Sequence, residues 1–360
     1  MEPAQPMTEA MYYILLALLE PGHGYGMMQR IREISHGRME MGPGTLYGVL
    51  NRMKKEGWIT LEEQDARRKT YAITDAGKEA LDAEFKRLTQ MVRDGKWTFD
   101  AFLEMAQDYS RDLDGDGEIG DDDIYGYTSY RWVGPIQAFI SSGSRVVKGA
   151  ADDYAFDVYN ERSLTMFEKY FPLVQSANTF VDTVSDSGGT NRELFRDGHS
   201  LFTDLRVSYV PLMREMEQEF GILPWPKFDE ASEYTANVDA GTNMMFVPIT
   251  NQVADNTSLV LESLAILGRE YAIPAYYDVA LKTRDSRDEE SAEMLDIIVS
   301  NRVFDLGYYD EELGGAFASH FAELVKEPNP DFASWYEKKL SAATATRDKT
   351  LAAYRERAGE

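Results

Sequence analysis

The residues GPGTLYGVLNRMKKEGWITLEEQDARRKTYAIT, Gly42 to Thr74, contain the change of period that decides how the first part of this chain folds. Leu46, Leu50 and Met53 fall at i, i+4 and i+7 behind a Gly-Pro-Gly turn, which is the spacing of a helix with one inward stripe. The other face holds Thr45, Tyr47, Asn51, Arg52 and Lys55, hydrogen-bonding or cationic side chains suited to phosphates and base edges. Past Gly57 the pattern turns extended: WITLEEQ, then the turn DARRK, then TYAIT. This predicts a hairpin whose tip groups Arg67, Arg68 and Lys69, where cations can neutralise backbone phosphates and release counterions.

Working outward, Met11, Ile14, Leu15, Leu18 and Leu19 repeat at helical spacing up to the breaker pair Pro21-Gly22. Met27, Ile31 and Ile34 mark a second helix after GHGYG. Downstream, DAGKEALDAEFKRLTQMV sets Leu81, Phe85, Leu88 and Val92 in a stripe that needs a partner surface. Helix, helix, basic third helix, hairpin and long helix is the order of an α+β winged helix-turn-helix domain, whose third helix enters the major groove. The segments HGYG (23–26), GTLYGVLNRMKKEGWI (44–59) and RRKTYAITDAGKEAL (67–81) closely resemble the PadR family of transcriptional regulators over roughly residues 7–93. The resemblance implies a homodimer through the helix over residues 75–93 and a double-stranded DNA operator as partner. It also implies Tyr47 and its neighbours on the DNA, with the wing on the flanking backbone.

Charge divides the 360-residue chain sharply: residues 1–95 hold 13 basic and 14 acidic side chains, and the remainder holds 24 and 48, for a net charge of −25. A surface that acidic repels phosphate, so only the first part can meet nucleic acid. A hydrophobic content of 43% with 12% aromatics argues for globular folding, in domains expected at 1–95 and 96–360. The absence of cysteine excludes disulfides, thiolate metal sites and cysteine catalysis. AMYYILLALL (10–19) is too short to span a bilayer, with Glu2 and Glu9 before it and no Lys or Arg before Arg30. It is expected as a buried helix in a cytoplasmic protein with no membrane insertion.

From Trp97 a new helix is expected, with Thr98 as N-cap and Phe99, Phe102, Leu103 and Ala106 on one side. It leads into DLDGDGEIGDDD, where Asp112, Asp114, Asp116, Gly117, Ile119 and Asp123 occupy positions 1, 3, 5, 6, 8 and 12 of an EF-hand loop, with Glu118 at position 7. No cofactor is required by the sequence, and Ca²⁺ is the ion this oxygen-rich spacing would wrap, although Asp at position 12 reaches less far than Glu.

Beyond, helical segments alternate with short β-prone pieces, the pattern of an α/β arrangement. WTFDAFLEMAQ, DLDGDGEIGDDDIYGY, FRDGHSLF (195–202), FGILPWPK (220–227) and the run from Ala272 to Tyr308 look like the extracellular solute-binding proteins of sugar-type ABC transporters. That resemblance spans most of residues 97–356. It implies an α/β periplasmic-binding-protein-like (type 2) domain lacking most of its first lobe, with the apolar surface that lobe would cover left exposed. A carbohydrate ligand would be held by Trp132 and Tyr130 through their rings and by Asp204 and Arg206 through polar contacts. The leading reading is therefore a PadR-type regulator with an effector-sensing extension. The alternatives are a transport-type carbohydrate-binding protein and a non-functional fusion or assembly artefact. No nucleotide loop, HExxH pair or GxSxG elbow occurs, and the four histidines are scattered, so no enzymatic activity is expected.

Overall fold

The computed structural model describes residues 9–18, 21–34, 41–65, 68–110, 119–120, 123–150, 153–184, 189–214, 216, 220–241, 247–248, 250–285, 288–328 and 330–358. Two compact units emerge, the first centred on residues 1–90 and the second on residues 91–110 and 124–360.

The first unit runs α1 (Glu9–Ala17), β1 (Gly22–His23), α2 (Gly24–Ile34), α3 (Pro43–Lys55), β2 (Ile59–Asp65), β3 (Arg68–Ile73) and α4 (Asp75–Arg93). The inward stripes expected from spacing meet in one core: Met11, Ile14 and Leu15 from α1 with Leu18 just after it, Met27 and Ile31 from α2, and Leu46, Leu50 and Met53 from α3 are all buried, while the side chain of Ile34 lies outside the described residues. Leu19 lies outside the described residues. Arg30 Nη1 donates to the Ala17 carbonyl at 2.9 Å, satisfying an orphan acceptor at the end of α1.

The end of α3 is a Schellman turn. Gly57 N–H donates to the Lys54 carbonyl and Trp58 N–H to the Met53 carbonyl, and Gly57 sits at φ +79°, where only glycine is unstrained. The chain leaves this turn directly into the hairpin. There β2 and β3 pair antiparallel from Ile59↔Ile73 to Asp65↔Arg68, with a register shift between Leu61 and Glu63. Sequence reasoning missed the third strand: β1 pairs with β3 through Gly22↔Tyr71 and His23↔Thr70, so GHGYG is part strand and part helix start. A two-residue strand has no period to read, and it exists only because β3 offers an open edge.

The second unit runs α5 (Phe99–Asp108), β4 (Tyr125–Tyr130), α6 (Gly134–Ser141), β5 (Val147–Ala150), β6 (Asp153–Phe156), α7 (Glu161–Val174), β7 (Thr179–Asp182), α8 (Gly189–Arg196) and β8 (Ser200–Thr203). It continues with β9 (Ala236–Asn237), α9 (Ala254–Leu267), α10 (Glu289–Ser300), β10 (Arg302–Val303), α11 (Leu306–Tyr309), α12 (Phe317–Leu324) and α13 (Phe332–Ala358). Thr98 caps α5 as expected, its hydroxyl accepting from Ala101 N–H at 3.3 Å. Phe99, Phe102 and Ala106 are buried, while Leu103 is half-buried.

The sheet order is β7-β4-β8, all parallel, with Tyr127 opposite both Thr179 and Phe202. Every residue of β4 is buried, as befits a central parallel strand covered on both faces. α5 approaches so closely that a Cβ on Gly126 would stand 1.7 Å from the Ala106 carbonyl oxygen, so glycine is the residue that lets the helix lie on the strand. Trp97, Phe102, Tyr127, Phe202 and Trp225 interlock beside it, largely edge-on or tilted. No described helix is long and apolar enough to cross a membrane.

Candidate nucleic-acid interface

Helix α3 is presented by its own core stripe. Leu46, Leu50 and Met53 have no exposed surface, so the helix cannot rotate without opening the core. The opposite face is therefore held outward: Thr45, Tyr47, Asn51 and Lys55 are all exposed. Lys54, which the sequence reading left out of its contact set, is exposed beside them. Arg52 is half-buried and pairs with Glu56 through Nε at 3.0 Å, an i, i+4 contact within the last turn. The three basic residues Arg52, Lys54 and Lys55 cluster in that last turn, where they also complement the helix dipole.

Tyr47 is positioned by glycine at α2. A Cβ on Gly24 would meet the Tyr47 hydroxyl at 2.6 Å and its Cζ at 3.1 Å, so the ring packs on bare backbone while remaining 42% exposed. His23 Nδ1 accepts from Gly26 N–H at 3.1 Å and fixes this entry turn. The HGYG segment thus serves as a platform for the aromatic side chain of α3. Tyr25 within it is exposed, a candidate contact that sequence reasoning also missed. The Tyr71 phenol, on β3, is raised above its ordinary pKa by burial, with Tyr47 adding to the shift.

On the wing, Lys69 is exposed near the hairpin tip. The side chain of Arg68 and the whole of Arg67 lie outside the described residues. In α4, Val92 is buried and Leu88 half-buried, while the side chains of Leu81 and Phe85 lie outside the described residues.

The residues expected to hold calcium are Asp112, Asp114, Asp116, Glu118 and Asp123. The first four lie outside the described residues. Asp123 is buried and its Oδ2 accepts from Gly120 N–H at 2.6 Å. Among the described residues no group of three or more His, Cys, Asp or Glu side chains is gathered to hold a metal ion.

The four residues expected to line a carbohydrate site are placed differently from one another. Asp204, 7% exposed, is an internal strut: Oδ2 accepts from the Tyr127 and Ser129 hydroxyls at 2.9 and 2.8 Å, and Oδ1 accepts from Tyr130 N–H at 3.0 Å. Burial outweighs these hydrogen bonds and pushes its carboxyl up to about 7. Tyr130 is itself 3% exposed. A polar loop residue after a strand and an aromatic residue at a strand end read alike in sequence whether they face a cleft or close the core, and these two close the core. Trp132 is half-buried with the Arg131 guanidinium 5.2 Å from its ring centroid. Arg206 is half-buried, bonded to Asp239 at 2.9 Å and donating to the Tyr209 hydroxyl.

Three helices packed on an antiparallel hairpin, with the third helix holding a polar, cationic face outward, define a winged-helix domain. Residues 14–83 match the transcriptional regulator PadR-like family, and this N-terminal domain is PadR-like. An uncharacterized 37.1 kDa protein in transposon TN4556 of Streptomyces fradiae is 32% identical over 85 residues, which is 23% of this chain and 24% of that protein's length. Among solved structures, the complex structure of hsRosR-S1 is similar at 26% identity, covering 24% of this chain and 77% of that one with a TM-score of 0.22. RosR of H. salinarum in crystals grown from NaBr gives 26% identity, 25% and 81% coverage and the same TM-score.

Proposed function

We propose that the chain is a DNA-binding transcriptional regulator whose α3 reads an operator in the major groove while the wing rests on the flanking backbone. The observation that carries this reading is the outward face of α3 in a PadR-like domain: Thr45, Tyr47, Asn51 and Lys55 exposed together, opposite a stripe with no exposed surface. Tyr47 and Asn51 supply the stacking and bidentate hydrogen-bonding groups for bases, and Arg52, Lys54, Lys55, Lys69, Arg67 and Arg68 supply phosphate contacts. Homodimerisation through α4 would set two heads on a two-fold operator. A role on DNA places the chain in the cytoplasm.

The acidic second unit is read as a sensor extension related to one lobe of a carbohydrate-type solute-binding protein. Its parallel β7-β4-β8 sheet with helical crossovers supports that reading. Trp132 and Arg206, each half-buried, remain the candidate sugar contacts.

The test is fluorescence anisotropy of the full-length protein with its own upstream DNA at several salt concentrations. Tight, competable binding with a steep negative salt slope is expected. Binding no tighter to that DNA than to a scrambled duplex would refute the reading.

A further inference from the structure

Helix α2 begins at Gly24, and the residue before it is a histidine. The first N–H groups of a helix have no intrahelical acceptor, and the preceding residue commonly supplies one through a hydroxyl, carboxylate or amide oxygen. Here an imidazole does so: His23 Nδ1 accepts from the N–H of Gly26, the third residue of the helix, at 3.1 Å. The ring lies against Gly26, where a Cβ would stand 3.2 Å from Cε1 and 3.4 Å from Nδ1. Unlike the usual capping groups, this acceptor exists in one protonation state only. Nδ1 accepts in the neutral ring, whereas the imidazolium donates from both nitrogens. A proton on His23 therefore sets N–H against N–H, and it puts positive charge at the positive end of the helix dipole.

The cap sits where three parts of the first unit meet. The backbone of His23 pairs with Thr70 on β3, a strand of the wing. One residue on, buried Gly24 keeps bare backbone against the Tyr47 hydroxyl of α3, which a Cβ would meet at 2.6 Å. Loosening the entry turn of α2 thus reaches both the wing and the outward face of α3. On the elements packed around His23, the charged and titratable groups are Lys69 and Tyr71 beside Thr70 on β3, Tyr47 on α3 and Tyr25 on α2. None is a carboxylate, and His23 makes no ion pair with a described residue that would hold an imidazolium in place.

We propose that His23 is a positioning residue for DNA reading and makes that reading sensitive to protons. Its neutral imidazole holds the α2 entry turn, and with it Tyr47, in the pose that meets the operator. This role rests on the DNA-binding reading and adds to it a residue that acts through another. Because the operator-bound form needs the cap, binding expels the proton. Affinity therefore rises with pH across the range in which histidine titrates, about pH 5 to 8. An imidazolium lying on a phosphate would give the opposite sign, with affinity rising as pH falls.

Full-length wild type, His23→Asn and His23→Ala are compared by fluorescence anisotropy on the upstream DNA between about pH 5.5 and 7.5 at constant salt. Wild type should weaken on acidification by roughly fivefold or more, the scale of a lost helix cap. His23→Asn, whose amide oxygen caps at every pH, should match wild type near neutral pH and give a flat profile. His23→Ala should bind weakly throughout, also without a pH profile of its own. Other titrating groups are shared and cancel in the comparison. Hydrogen exchange of residues 24–30 without DNA, corrected for intrinsic rates, reads the cap by itself: protection should fall on acidification in wild type alone. Equal pH profiles for wild type and His23→Asn, or wild-type affinity that rises on acidification, would overturn the role of His23. So would a His23→Asn protein that binds no better than His23→Ala near neutral pH. If none of the three proteins binds the DNA while exchange still shows a cap lost on protonation, the DNA-binding reading falls and the positioning role with it, and only the proton-sensitive cap stands.

Discussion

Replacing Asp204 by Asn removes a titration buried in the second unit. The carboxyl is lifted from 3.8 to about 7, chiefly by burial, so over roughly three pH units the folded chain keeps a proton here that the unfolded chain has lost. Unfolding free energy therefore falls by about 1.4 kcal/mol for each pH unit through that window. The stabilisation is fully present below the unfolded pKa and gone once pH passes the folded value, a total of about 4 kcal/mol. Asn keeps the shape: its oxygen accepts from Tyr130 N–H, and its amide donates to the Ser129 or Tyr127 hydroxyl, which can turn to accept. The difference in stability between variant and wild type should thus rise in the variant's favour by about 1.4 kcal/mol per pH unit between about pH 5 and 7, then level off. Urea titrations at each pH, followed by hydrogen exchange of the β4 amides, read the unit that contains the group. Other carboxylates titrate in both proteins and cancel in the difference. Parallel pH profiles for the two proteins would refute a protonated Asp204 in the folded state.

Gly57→Ala places a side chain at φ +79° with nothing within 4 Å of the new methyl, so the cost is backbone strain alone, about 1 kcal/mol, seen as a lower melting temperature of the first unit. An unchanged or raised transition would show that the Schellman turn is not what ends α3. Gly126→Ala meets the Ala106 carbonyl oxygen at 1.7 Å. Because backbone must move, destabilisation of about 3 kcal/mol or more is expected in chemical denaturation, and a loss under 1 kcal/mol would contradict the packing of α5 on β4. Lys55→Ala should weaken operator binding by a similar factor across sequences and reduce the logarithmic salt slope by about one, whereas Asn51→Ala should relax sequence preference. A Lys55→Ala protein with an unaltered slope would remove that residue from the phosphate contacts.

Where one local rule governed an element, the element could be read from residues. Leu46, Leu50 and Met53 marked the buried face of α3, and by elimination its outward set, because a helix with one core has no other way to turn. Thr98 announced the start of α5, since a hydroxyl before an apolar run satisfies an orphan N–H. The hairpin followed from two β-prone arms around a turn.

Other features depended on residues far apart in sequence. β1 is a strand only because β3 lies open beside Gly22 and His23. Tyr47 owes its pose to Gly24, on another helix. Asp204 looked like a solute contact, yet three donors from β4 claim it in the core. Local sequence determined the faces of the helices, because periodicity and capping are short-range properties of one segment. Only the tertiary structure decided which polar groups turn inward and that α9 stays uncovered, because burial depends on which segments meet, and no window of sequence contains both partners.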